Sequence, residues 1–280
     1  MLVNTAVWCN AFVSKRMVVP PGKRVALAEI DPASTDGAPG GKAKTVAAFP
    51  KLHAEQLALQ ARLWAEARRS LLVVLQGMDG SGKDGSVSHV FQGVNPQATR
   101  AVSFKQPSHE ELAHDFLWRV HRQTPAAGET AIFNRSHYED VVIVRVHRLV
   151  PGKIWKARYR TINEFERGLV ESGTAVVKIF LHISQAEQLE RFRARLDDPT
   201  KRWKFRTGDL EERKRWDDYV AAFEDMLERC STDVAPWYVI PANRKWFRNL
   251  AVAEILADTL DELKPRYPEP EEDLTGVVVE

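Results

Sequence analysis

The sequence has too little cysteine for a disulfide framework: Cys9 and Cys230 are the only two in 280 residues, and no CxxC or Cys/His spacing suggests a zinc site. That favours a reducing compartment, the cytoplasm. It also lacks any apolar run approaching the roughly 18 to 20 residues of a membrane span. The first sixteen residues, MLVNTAVWCNAFVSKR, place no positive charge ahead of their apolar stretch and no small-residue cleavage pattern behind it, so they make a poor secretory signal. Because Met17 opens a more ordinary stretch, MVVPPGKRV, they read as an upstream start or a disordered extension without function. No internal repeat is present. With 44% hydrophobic and 28% charged residues the chain is not compositionally disordered, and its length suits one large α/β domain.

Net charge is only +2, but it is unevenly spread. Residues 145–215 hold 18 Lys/Arg against 10 Asp/Glu, leaving 22 against 28 elsewhere. A basic third on a mildly acidic chain points to a polyanionic ligand, although a solvated basic face has the same composition.

Four short apolar runs read as strands buried on both faces of a parallel sheet: residues 70–76 (SLLVVLQ), 130–133 (TAIF), 175–183 (AVVKIFLHI) and 237–240 (WYVI), with a weaker one at 101–104. Helical stretches lie between them, near 52–69, 84–92, 109–123, 138–149, 161–172, 185–197, 209–230 and 244–263. This alternation predicts right-handed βαβ crossovers and a doubly wound sheet whose ligand site lies at the carboxyl ends of the strands. The segment 31–45 (DPASTDGAPGGKAKT) has hardly a large apolar side chain and reads as a mobile or draped arm.

Gly77-Met78-Asp79-Gly80-Ser81-Gly82-Lys83-Asp84 has GxxxxGK spacing after a predicted strand and before a predicted helix, the context a phosphate-cradling loop requires. Backbone N–H groups and the helix N-terminus attract phosphate, and Lys83 supplies a cation. Asp84 stands where such loops usually carry Ser or Thr. With Asp79 it puts carboxylates beside a phosphate site, which calls for a hard divalent cation, magnesium or manganese in its place, held at least by Asp79. An Asp in a first helical turn is also an ordinary N-terminal stabiliser.

After the strand TAIF comes Asn134-Arg135-Ser136-His137-Tyr138-Glu139-Asp140. Here Arg135 is a candidate phosphate clamp, and Glu139 and Asp140 are candidates to position metal or acceptor. Arg135 and Glu139 are equally spaced for an i,i+4 helix pair. In DPTKRWKFRTGD (198–209) Lys201, Arg202, Lys204 and Arg206 interleave with Trp203 and Phe205, following Arg191, Arg193 and Arg195. The pattern fits a kinase lid, and also a groove for single-stranded nucleic acid. The scattered histidines receive no metal.

GMDGSGKDG, FNRSHYEDVVIVRVHRLVP, KRWKFRTGDLEER and APWYVIPANRKWFRN, in this order, resemble the polyphosphate kinase 2 family over residues 50–268. The resemblance implies a thymidylate-kinase-like P-loop kinase fold, with a parallel five-stranded sheet flanked by helices and a helical basic lid near 185–215. It leaves a flexible or draped extension at 1–49 and an acidic tail at 269–280. It implies magnesium-dependent transfer of a phosphoryl group from inorganic polyphosphate to ADP and to AMP, making ATP. The FNRSHYED form is similar to the class III branch, which uses both acceptors. Carried onto this chain, the resemblance puts phosphate on Gly80, Ser81, Gly82 and Lys83, metal on Asp79, catalysis on Asp79, Lys83, Asp84, Arg135 and Glu139, and nucleotide on Asn134, Arg135 and Glu139. The polyphosphate path falls on Lys201, Arg202, Lys204 and Arg206. Partners expected are polyphosphate and AMP, ADP and ATP, not nucleic acid or membrane, in a homo-oligomer, dimer or tetramer. The alternatives are an ATP-dependent small-molecule kinase on the same fold, and a nucleic-acid-binding P-loop protein.

Overall fold

The computed structural model describes residues 12–279, and the side chains from Lys15 onward. The expectation for residues 1–11 therefore lies outside the described residues. In chain order the elements are α1 (Phe12–Met17), β1 (Val18–Val19), a 3₁₀ turn (Leu27–Glu29), α2 (Lys42–Glu66), β2 (Ser70–Gln76), α3 (Lys83–Val90), β3 (Thr99–Ser103), α4 (His109–Leu112), α5 (Trp118–His121) and β4 (Thr130–Asn134). There follow α6 (Glu139–Val146), α7 (Gly152–Glu171), β5 (Thr174–His182), α8 (Gln185–Asp197), a 3₁₀ turn (Arg202–Lys204), α9 (Gly208–Lys214), α10 (Trp216–Cys230), β6 (Trp237–Pro241) and α11 (Lys245–Leu263).

Every residue of β2 is buried, as a strand covered on both faces must be. The sheet order is β1-β6-β5-β2-β4-β3, and all pairs except β1 with β6 are parallel. The expected parallel five-stranded sheet is thus present, and among the described residues the count is corrected to six. The added strand is two residues long, Val18 and Val19 opposite Tyr238 and Trp237, too short to leave a periodic signal. Because β2 lies between β4 and β5, the loop after β2 and the motif after β4 open side by side, with α8 following β5 on the other flank. Among the described residues no helix is long and apolar enough to cross a membrane.

Two expected helices are broken. The stretch 109–123 holds two single turns, because Ser108 caps α4 with a reciprocal capping box and Asp115 Oδ1 accepts from Leu117 N (3.0 Å), forming a fresh turn before α5. The stretch 209–230 breaks at Arg215, which ends α9 and begins α10. Conversely α2 starts at Lys42 and runs through Pro50, taking in residues expected to belong to the arm.

The rest of the arm crosses the carboxyl ends of β5 and β6. Ile30 O accepts from His182 Nε2 (3.0 Å), Pro32 O from Asn243 N (3.0 Å) and Ala33 O from Arg244 Nε (3.0 Å). Burial pushes the His182 imidazole below its usual range, and the arm's carbonyls only partly oppose it. The unfolded chain therefore binds a proton that the native one excludes, and stability contributed by neutral His182 is lost as pH falls below about 6.5. Thermal denaturation should show His182→Gln narrowing the loss of Tm between pH 7.5 and pH 5.5; an unchanged difference would remove His182 as its source.

Candidate active site

The loop Gly77–Asp84 turns β2 into α3 around two positions that exclude a side chain. At Gly77 (φ +146°) a Cβ would lie 2.6 Å from Leu181 O, and at Gly82 (φ +99°) it would collide with the Arg248 guanidinium. Lys83, in the first turn of α3, is buried and donates from Nζ to Gly77 O (2.7 Å) and Met78 O (3.2 Å). Burial pushes its amine down to about 8, against the opposing charge of Asp79. Ser81 faces inward: its N–H donates to Met78 O (3.0 Å), and its buried Oγ has no partner among the described residues.

Two side-chain bridges tie this loop to the motif after β4. Arg135, a non-glycine residue at φ +63°, donates from Nη2 to Asp79 Oδ1 (2.5 Å), and Asn134 Nδ2 donates to Asp84 Oδ1 (2.7 Å). Burial raises the Asp79 carboxyl, but Arg135, Lys83 and Arg195 outweigh it and hold the group below its usual range. Among the described residues Arg135 makes no ion pair with Glu139, so Asp79 is its partner rather than the helix neighbour. Glu139, in the first turn of α6, instead lines a recess of about 40 Å³ with Asp79, Arg135, Trp216 and Tyr219. Burial pushes its carboxyl up, with Arg135 and Lys83 opposing.

Beside that recess lies a cleft of about 920 Å³ between the loop, α8, the lid and α11. Among the described residues its wall carries ten Lys/Arg side chains and three carboxylates, Asp79, Asp84 and Asp209. Lys201, Lys204 and Arg206 of the predicted lid line it, and Lys204 Nζ lies 3.8 Å from Asp84 Oδ2. Arg202 does not: the 3₁₀ turn directs it back, and its Nε donates to Leu196 O (2.7 Å).

The individual roles of Arg191, Arg195, Lys245 and Arg248 escape the sequence reading. Arg191 clips the site together, donating to Gly80 O and Ser81 O (both 2.8 Å) and, on the other side, to Ala242 O (2.6 Å). Gln188 Nε2 donates to Asp79 O (2.7 Å). Spacing held the signal, because Gln188, Arg191 and Arg195 share one face of α8, whereas Arg193 pairs with Glu190 in solvent. Lys245 falls in PANRKW (241–246), which by sequence reads equally as a base-contacting loop or as a turn into the last helix, whereas Arg248 was hidden inside that helix.

Beneath the second motif lies a buried polar knot. Lys178, in the middle of β5, donates to Glu166 Oε2 (2.6 Å), Tyr138 OH (3.0 Å) and Cys230 O (2.5 Å). Glu166 also accepts from Tyr138 OH (2.8 Å) and His137 Nε2 (3.2 Å). The knot fixes the residues between Arg135 and Glu139.

Among the described residues no three His, Cys, Asp or Glu side chains gather as a metal cage. Magnesium nonetheless suits the donors present: it is commonly held by one or two carboxylates plus substrate phosphates, and Asp79 and Asp84 flank a phosphate-type loop.

A sequence model described as Polyphosphate kinase 2 (PPK2) matches residues 41–268. The chain is 51% identical to the AMP/ADP-polyphosphate phosphotransferase of Meiothermus ruber, over 95% of this chain and 100% of that protein. It is 48% identical to the ADP-polyphosphate phosphotransferase of Rhodopseudomonas palustris, over 75% and 77% of the two chains. The crystal structure of polyphosphate kinase 2 from Arthrobacter aurescens TC1 superposes with a TM-score of 0.91, at 44% identity and 94% coverage of both chains.

Proposed function

Because the chain belongs to the polyphosphate kinase 2 family, we propose that it transfers the terminal phosphoryl group of inorganic polyphosphate to AMP as well as to ADP, with magnesium held at the P-loop. It is a polyphosphate:nucleotide phosphotransferase, and the P-loop kinase fold with a parallel sheet is the scaffold for that activity. The observation that carries the donor is the cleft. Ten cations against three carboxylates exceed what a nucleotide's phosphates need, and they suit a polymer with a negative charge on every unit. The use of both acceptors is supported by the name of the Meiothermus relative.

The acceptor oxygen of a nucleotide phosphate is already ionised, so no protein nucleophile or base is required. Catalysis is alignment and charge neutralisation. Lys83 and the N–H groups of the glycine loop take the phosphoryl group in flight. Arg135, held by Asp79 at the junction of cleft and recess, bridges donor and acceptor phosphates. Asp79, with Asp84 nearby, would hold magnesium, which supplies further charge neutralisation at phosphate oxygens. Glu139 sits on the acceptor side, in the recess. Lys204 and Arg206 close over the donor and exclude water.

The test is ATP formation from AMP and, separately, from ADP with long-chain polyphosphate and magnesium, free of adenylate kinase. ATP from both is expected. ATP from ADP alone would overturn the dual acceptor, and ATP from neither would overturn the donor. In the same assay a Lys204→Gln, Arg206→Gln double variant should raise KM for polyphosphate about tenfold or more, with a smaller change in KM for the nucleotide.

A further inference from the structure

One end of the cleft is built by α11 rather than by the lid. Lys83 Nζ reaches back to Gly77 and Met78, at the start of the glycine loop, and Arg135 and Arg195 act on Asp79. Arg248 stands at the loop's other end, against Gly82 and Gly85, with Lys245 one turn before it on the same wall. Arg248 is only 3% exposed. Its Nε and Nη2 donate to Asn249 Oδ1 (3.1 and 2.7 Å), and it has no carboxylate partner among the described residues.

The neighbouring Arg191 is different. Its charge is met by Glu187 (2.7 Å) and its N–H groups are spent on main-chain carbonyls. Lys201, from the lid, is bonded to Asp198. Burial pushes the Arg248 guanidinium down to about 10, with Arg191 adding repulsion, and lowers the Lys245 amine too. A desolvated guanidinium that faces a cleft and lacks a carboxylate is a donor set for an anion. Among the described residues α11 contributes no aromatic ring to this wall, so nothing there would stack on a base.

We infer that Arg248 and Lys245 form a distal subsite for a phosphate unit of polyphosphate beyond the one transferred, making donor affinity depend on chain length. The inference rests on the reading of the cleft as the polyphosphate site. Its consequence is selective. A long chain lies on both the loop and the α11 wall, whereas a short one gains less from the second.

The test compares long-chain polyphosphate with tripolyphosphate as donors for wild type, Lys245→Gln and Arg248→Gln. Each variant should raise the ratio of the long-chain KM to the tripolyphosphate KM about tenfold, equivalent to about 1.4 kcal/mol. The slope of log KM against log salt for the long chain should fall by about 0.7 to 1 for each cation removed. An unchanged ratio, including an equal rise for both donors, overturns the subsite and leaves these residues as loop supports. If Arg248→Gln does not fold, Lys245→Gln decides alone, since Lys245 is exposed. No ATP from either donor in wild type would overturn the donor reading and the subsite with it, whereas ATP with an unchanged ratio overturns the subsite alone.

Discussion

Lys83→Ala is expected to abolish polyphosphate-dependent ATP formation, lowering kcat by about 10³-fold or more while the protein stays folded. The size follows from what Lys83 does alone: it is the cation inside the glycine loop, in a desolvated site where one charge-stabilising donor is worth about 10² to 10³ in rate. The loss should exceed that of a single donor because the lysine also organises the loop's own carbonyls, Gly77 O and Met78 O. Folding should survive for the opposite reason. Burial already disfavours the charged amine, so truncating it relieves a desolvation cost and leaves two carbonyls at a cleft that water can reach. Single-turnover kinetics beside a circular dichroism melt would check both halves. Turnover near the wild-type rate would place the transferring phosphoryl elsewhere than on this loop.

Asp79→Asn is a useful companion, since it keeps the shape and removes the charge that pairs with Arg135. Arg135 holds a left-handed backbone conformation that costs of order 1 kcal/mol or more at a non-glycine residue. That cost is met by the surroundings, namely its N–H bond to Leu75 O (3.1 Å) and its bridge to Asp79.

The parts of this site legible in the sequence are those where function demands a contiguous string. A turn that cradles a phosphate has to be continuous, and GMDGSGKD has that form; its placement after SLLVVLQ was readable from an apolar run with no polar break. What stayed hidden depends on side chains meeting across the fold. Asn134 bonding Asp84 joins residues 50 apart, and nothing in either segment names the other. Arg191 and Arg202 look alike in a basic stretch, yet one points into the loop from a helix face and the other folds back at a 3₁₀ turn. Arg248 resembles any helix arginine until the chain brings Gly82 against it. β1 escaped because two residues pairing with a strand more than two hundred positions away carry no local period.

Lys178 was visible all along, as the lone cation in AVVKIFLHI, and it sets the second large effect. Glu166→Ala should destabilise the protein by about 3 to 5 kcal/mol, because it strands a lysine that is 0% exposed, leaving it Tyr138 OH and Cys230 O as hydrogen-bond acceptors and no carboxylate among the described residues. Burial alone would raise the Glu166 carboxyl, but Lys178 and the His137 hydrogen bond outweigh burial and hold it below its usual range, so Glu166 is a carboxylate at neutral pH. At roughly 2 to 4 °C per kcal/mol for a chain of this size, the melt should fall by about 10 °C. Lys178→Met should cost less than Glu166→Ala, since Glu166 keeps the donors Tyr138 and His137. The double variant Glu166→Ala, Lys178→Met should be clearly more stable than the sum of the two losses, since neither charge is then left alone. The knot also holds Tyr138 and His137 between Arg135 and Glu139, so kcat in the singles should fall more than the folded fraction does. Additive losses in the cycle would mean that the two charges are screened from each other by water, and a kcat that merely follows the folded fraction would make the knot a core device with no hold on the site.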